Sequence, residues 1–168
     1  MNVNELLDDS ALDPKKLFNE EEYSTLIVNR DGFSKQDNHV TDLMLTLLDK
    51  KITRHECEEI YAELKKLNSA NLMVNTIKLS KRKADTSKLV EACWECGLDF
   101  TPYYLTFAEL ACDNDFKLAF ESMTVIQECT GEVDKSVIDM ALKLIEETKS
   151  RNTSIIHDLR QNIAQRGL

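Results

Sequence analysis

The sequence predicts an all-α protein whose helices form antiparallel hairpins stacked as a short α-solenoid. Apolar residues recur with the helical period along most of the chain, and no segment alternates with the period of a half-buried strand. The 168 residues include only four glycines and two prolines, too few for the turns of a β-sandwich or barrel. Expected helix starts also recur at an even spacing of roughly 14 to 19 residues, which is typical of helical repeats.

Short oxygen-bearing side chains mark the helix starts, because they accept hydrogen bonds from the unpaired N–H groups of a first turn. Thr53 and Glu56, for example, have the spacing of a capping box. Gly97 and Gly131 stand where helices should end, near the left-handed position that glycine tolerates best. The starts are expected, in order, at Asp13, Asp37 or Asn38, Thr53, Asn68 to Asn71, Asp85, Thr101, Asp113 to Asp115, Asp134 and Asn152.

The even spacing divides the chain into hairpins. A helix of about 12 residues with a tight connection forces antiparallel neighbours, and two helices make a hairpin of about 31 to 35 residues. Four hairpins are expected, over 37–69, 70–100, 101–132 and 133–168. Together they form a helical-repeat domain at 37–168, after a frayed segment at 1–13 and a lead-in helix and loop at 14–36. A compact multi-helix bundle with the same helices is the alternative fold.

Apolar stripes mark the side of each helix that should face the core. In the helix expected from about residue 115, the stripe consists of Phe116, Ala119, Phe120 and Met123. Tyr103, Tyr104 and Phe107 form the densest aromatic group, and we expect it to pack in the core rather than stack on bases.

Charge is unevenly distributed and limits the class of partner. The net charge is −9, which argues against nucleic acid bound over the whole surface, because phosphate contacts dominate such affinity. Carboxylates are concentrated over 91–150 and spread across three successive expected helices. They are interpreted as an acidic edge that steers a basic protein partner, with a solvated face as the alternative. The edge consists of Glu91, Glu95, Asp99, Glu109, Asp113, Asp115 and Glu121.

Two segments carry a family resemblance, NLMVNTIKLSKRKADTSKLVEACWECGLDFTP and YYLTFAELACDNDFKLAFESMTVIQECTGEVD. Asp-containing turns, an early alanine in the second helix and a glycine leading onward fall near the places of a helical-repeat pattern. These positions are Asp85, Asp115, Ala119, Gly97 with Pro102, and Gly131 with Asp134. Over about 70–145 the chain therefore resembles the pentatricopeptide-repeat and tetratricopeptide-like families.

The resemblance implies an alternative function, single-stranded RNA binding along a concave face at about one base per repeat. Asn75 falls at a base-reading position of the family pattern. A basic island could contact phosphates, and it consists of Lys78, Lys81, Arg82, Lys83 and Lys88. Two other interpretations of the island stay open, namely solvated cations that complement a helix dipole and a nuclear-import peptide.

Candidate catalytic and metal-binding patterns are weak. Cys93 and Cys96 have a Cys-x-x-Cys spacing, but they lie on an apolar stripe and are interpreted as small core residues. His55 and Glu59 are four residues apart, and the second histidine of a zinc-protease motif is missing. We therefore expect an interaction protein that is not an enzyme and that needs no cofactor or metal.

The sequence as a whole predicts a non-enzymatic scaffold or interaction module that binds a protein partner, with RNA binding as the alternative. A ribonucleoprotein assembly is one setting for it. Its N-terminus lacks a secretory pattern, its five cysteines suggest reduced thiols, and no apolar run is long enough for a membrane span. We therefore expect an intracellular protein that does not associate with a membrane. Its oligomeric state stays open.

Overall fold

The computed structural model describes residues 29–167, which contain eight α-helices, one 3₁₀ turn and no strand. The helix expected at 14–29 and the segment at 1–13 fall outside these residues, except for Asn29 in the loop before α1. The helices are α1 (Lys35–Thr46), α2 (Arg54–Lys66), α3 (Ala70–Leu79), α4 (Lys83–Glu95), α5 (Tyr104–Ala111), α6 (Phe116–Glu128), α7 (Lys135–Glu147) and α8 (Thr153–Arg166). The all-α prediction is confirmed, and the 3₁₀ turn spans Thr101–Tyr103.

The helices pack in the order of the chain. Each of the expected pairs, α1–α2, α3–α4, α5–α6 and α7–α8, makes contact. Odd-numbered helices also pack on each other, α1 on α3 and α5 on α7, and even-numbered helices do the same, α4 on α6 and α6 on α8. Among the helix pairs in extensive contact, α5 and α8 are the furthest apart along the chain. This packing is consistent with a short solenoid or a helical bundle, and one continuous apolar core runs through all eight helices.

Local capping explains where several helices begin. The predicted capping box is present at α2, where the Thr53 hydroxyl accepts from the Glu56 N–H and the Glu56 carboxylate accepts from the Thr53 N–H. Asp115 caps α6 by accepting from the Leu118 N–H. Asn68, with φ of 48°, and Gly97, with φ of 64°, take left-handed conformations just after α2 and α4.

Three expected helix starts need correction. The cap of α1 is Ser34, and Asp37 is the third helical residue, whose carboxylate completes a second capping box. Asp85 also lies inside its helix, because α4 begins at Lys83 after Arg82. Thr101 opens the 3₁₀ turn rather than α5, which begins three residues later.

The apolar stripe expected for α6 is wrong in part. Ala119 and Met123 are buried, but Phe116 is 61% exposed and Phe120 is 45% exposed. The helix buries Glu121 and Ser122 instead, because α4, α5 and α8 cover its other sides. The buried phenylalanines are not on α6: Phe100, before the 3₁₀ turn, packs edge-on against Phe107 of α5 at 5.6 Å between ring centroids.

Candidate functional site

The seven acids predicted as one edge occupy different places on the structure. Asp99 lies in the loop after α4, whereas Asp113 contacts Lys83 at the opposite end of that helix. A helix of this length separates its two ends by about 18 Å. Asp115 caps α6, and Glu109 is exposed on α5. The structure therefore divides these acids among both ends and the middle of the hairpins.

The three remaining acids lie on α4 and α6, Glu91 and Glu121 in the middle of their helices and Glu95 at the last residue of α4. Glu91 contacts Lys88 at 3.1 Å and Lys117 at 3.6 Å, and Glu95 lies 3.6 Å from Arg54 on α2. Glu121 is buried and accepts a hydrogen bond of 2.8 Å from the indole N–H of Trp94. Burial raises the pKa of Glu121, against the lowering effect of the Trp94 hydrogen bond. These three carboxylates are thus engaged within the chain.

Most of the basic island is engaged as well. Arg82 pairs through both ends of its guanidinium with Asp85, at 2.7 Å for each hydrogen bond. Lys83 of α4 contacts Asp113 in the loop after α5, and Lys88 contacts Glu91 one turn along α4. Lys78 and Lys81 are exposed, and so is Asn75 on α3. Only part of the predicted island is therefore available to a phosphate ligand.

The Cys-x-x-Cys pair lies in the core, and the pair of His55 and Glu59 lies on the surface, as expected from the sequence. Cys93 on α4 and Cys96 just after it are buried, and burial raises the pKa of both thiols, so they stay protonated near neutral pH. His55 and Glu59 form an exposed pair at 3.5 Å. Within residues 29–167, no three or more His, Cys, Asp or Glu side chains are placed to share a metal ion.

Phe116 and Phe120 form an exposed aromatic pair that sequence reasoning assigned to the core. Their rings stack at 6.1 Å between centroids with an angle of 17° between the planes. The pair lies one turn apart on α6, a helix held on its other sides by three neighbours. The sequence could not reveal this, because both residues fit the apolar period that also predicts burial.

A second surface feature is a cleft of about 350 Å³ between the start of α5 and the loop that joins α6 to α7. We call it the acidic cleft. Its apolar side chains are Pro102, Leu105, Val133 and Val137, and its carboxylates are Asp99, Glu132 and Asp134. Of these carboxylates only Asp99 was singled out from the sequence as a site residue, since Asp134 was assigned to a helix start.

Hydrogen bonds from Thr101, Thr130 and Gly131 hold the two loops of the cleft together. Asp99 accepts from the backbone N–H and the hydroxyl of Thr101 and from the Thr130 N–H. The Thr101 hydroxyl in turn accepts from the Gly131 N–H at 3.0 Å. Burial favours a higher pKa for Asp99, but the hydrogen bonds from Thr101, Thr130 and Gly131 outweigh it and lower the pKa. Asp99 is therefore ionised at neutral pH.

Gly131 stands at the closest approach of these loops. A Cβ atom there would lie 2.9 Å from the Thr101 Oγ1 and 3.1 Å from the Asp99 Oδ2. The expectation that Gly131 ends a helix in the left-handed conformation is wrong, because only Gly32 and Gly97 among the described glycines have positive φ. Glycine is required at position 131 by the contact between loops instead.

The helices of residues 29–167 are all too short or too polar to cross a membrane. Comparison of the chain with protein-family models, curated proteins and solved structures finds no match. The functional argument therefore rests on the two surface features, the aromatic pair and the acidic cleft.

Proposed function

We propose that this chain is a non-enzymatic helical interaction module that binds a protein partner. The exposed stacked pair of Phe116 and Phe120 is the observation that carries the proposal. Large aromatic side chains dominate the binding energy of protein interfaces, and an aromatic pair held in water on a rigid helix is a preformed anchor. A partner with an apolar pocket or groove fits it.

Rigidity of the anchor supports this proposal. Residues of α6 that face inward pack against α4, α5 and α8, so the aromatic pair needs little ordering when it binds. Covering the exposed parts of the two rings, which together equal about one fully exposed phenylalanine, contributes roughly 1.5–3 kcal/mol. That is enough for a hot spot within a larger interface.

The test is affinity purification of the full chain from its source cell, with nuclease treatment before elution. We expect a protein to be retained by the wild type and lost with Phe116→Ser/Phe120→Ser. Met140→Ser is the matched control, because Met140 is 54% exposed on α7 and distant in sequence from the pair. Equal retention by the wild type and the phenylalanine variant, or retention of no protein at all, would contradict the proposal.

Single-stranded RNA binding is the second candidate, supported by the exposure of Asn75, Lys78 and Lys81 on and just after α3. The pairing of Arg82, Lys83 and Lys88 with carboxylates weighs against it. A random RNA pool bound at low salt and lost with Lys78→Glu/Lys81→Glu would favour RNA, since phosphate contacts make such binding steeply dependent on salt.

A further inference from the structure

We infer that the acidic cleft is a docking site for a short peptide segment of the partner in which lysines or arginines flank an aliphatic residue. This inference rests on the proposed function and names the chemistry of one part of the partner. A volume of about 350 Å³ is at the small end of ligand pockets and accommodates one or two side chains. The bound segment therefore places an anchor side chain in the cleft and leaves its flanks at the rim.

The floor of the cleft is suited to an aliphatic side chain. Leu105 of α5 and Val137 of α7 line it together with Val133 and Pro102 from the adjoining loops. Leu105, Val133 and Val137 are only partly buried, although each packs against the core. An aliphatic ligand would complete their burial, which is favourable in proportion to the apolar area removed from water.

The rim decides the sign of the partner's charge. Asp99, Glu132 and Asp134 line the cleft, and none of its lining residues is lysine, arginine or histidine. The cleft between α1 and α2 differs, because Lys51 lies there beside Glu56 and Glu59. Arg166 contacts the loop between α6 and α7 without lining the acidic cleft, and its guanidinium donates to the Gly131 and Cys129 carbonyls. The three carboxylates leave the rim negative, so it attracts positively charged side chains and repels acidic ones.

The negative charges of the rim carboxylates are available to pair with a basic ligand. Glu132 and Asp134 are exposed, and neither forms an ion pair with any residue of 29–167. Asp134 precedes α7 at the capping position, yet its side chain makes no capping hydrogen bond. Asp99 is fixed by Thr101 and Thr130, so its charge is held in place at the edge of the cleft.

An extended ligand fits this arrangement better than a metal ion. The three carboxylates belong to no group, within the described part of the chain, that could share one cation. They are instead distributed along two loops, so separate basic side chains can reach them. Tyr104 also lines the cleft, and its buried hydroxyl has no hydrogen-bond partner in the described structure.

The test uses a random heptapeptide phage library selected on the immobilised full chain. We expect enrichment of peptides in which two or more lysines or arginines flank an aliphatic residue. Synthetic copies of the enriched peptides should bind Glu132→Gln/Asp134→Asn about tenfold more weakly than the wild type, because two charge pairs are removed. Binding should also weaken with Val133→Thr/Val137→Thr, which keeps the shape of the floor but makes it polar.

A matched control variant separates the cleft from the overall charge of the protein. Asp31→Asn/Asp158→Asn also removes two negative charges, from exposed residues in the loop before α1 and on α8 that do not line the cleft. We expect this variant to bind the peptides within about twofold of the wild type. Circular dichroism of all variants should report the same helix content.

Several outcomes would overturn the inference. These are enrichment of acidic or neutral peptides, equal weakening by the two double-charge variants, and no enrichment at all. If the enriched peptides instead lose binding with Phe116→Ser/Phe120→Ser, the aromatic pair is their site, so the proposed function stands and the cleft inference fails. If affinity purification also yields no protein, the proposed function fails as well.

Discussion

Replacement of Gly131 by alanine should destabilise the protein by forcing apart the two loops of the acidic cleft. The new Cβ would lie 2.9 Å from the Thr101 Oγ1 and 3.1 Å from the Thr101 Cβ, so at least one loop must shift. The hydrogen bond from the Gly131 N–H to Thr101 would then lengthen, and a typical hydrogen bond contributes about 0.5–1.5 kcal/mol. Overpacking adds about 1–3 kcal/mol. We expect a net loss of about 1–4 kcal/mol after the smaller unfolded-state entropy of alanine is included.

A double-mutant cycle with Thr101→Ala isolates the contact, measured as the free energy of unfolding in urea by circular dichroism. Thr101→Ala removes the hydroxyl that the new methyl group would meet, so Gly131→Ala should cost about 1 kcal/mol less in that background. Effects of glycine on the unfolded chain are common to both backgrounds and cancel in the cycle. The same cost in both backgrounds, or no cost in the wild type, would refute the assigned contact between the loops.

Three further predictions concern the helices. Thr53→Ala should lower the free energy of unfolding by about 1 kcal/mol by removing the capping box of α2, and an unchanged urea midpoint would contradict that role. Phe107→Ala should cost about 3–5 kcal/mol, because its ring is fully buried, whereas Phe116→Ala should change stability by no more than about 0.5 kcal/mol. Glu121→Gln should stabilise the protein at neutral pH, because burial raises the pKa of Glu121 in the folded state and so penalises its ionised form. The difference in free energy of unfolding between the variant and the wild type should shrink as the pH falls through the raised pKa, because the Glu121 carboxylate of the folded wild type then takes up a proton. Urea titrations at several pH values measure this difference, and a difference that grows as the pH falls would contradict the prediction.

Helix existence and most helix starts could be predicted, because they depend on residues within one turn of each other. The Thr53 and Glu56 box and the Asp115 cap were expected from spacing alone and are present. The errors at Asp37 and Asp85 have a common cause. An acidic residue is favoured both as a cap and inside the first turn, so its position alone does not separate the two.

The candidate surfaces were much less predictable. Asp99 and Gly131 meet across a gap of about thirty residues in sequence, and no local pattern joins them. Phe116 and Phe120 have the same helical spacing that buries Leu89 and Cys93 on α4. Whether such residues are buried depends on which neighbouring helices cover that side.

The sequence by itself thus determined the all-α class, the number of helices in residues 29–167 and the local capping of several of them, because these follow from short-range hydrogen bonding and from periodic apolar residues. Tertiary packing alone decided which face of α6 meets water, which carboxylates pair with lysines, and which line a cleft that has no lysine or arginine among its lining residues. The physical reason is that exposure and charge pairing are properties of neighbouring helices and loops, and these are brought together only when the hairpins pack.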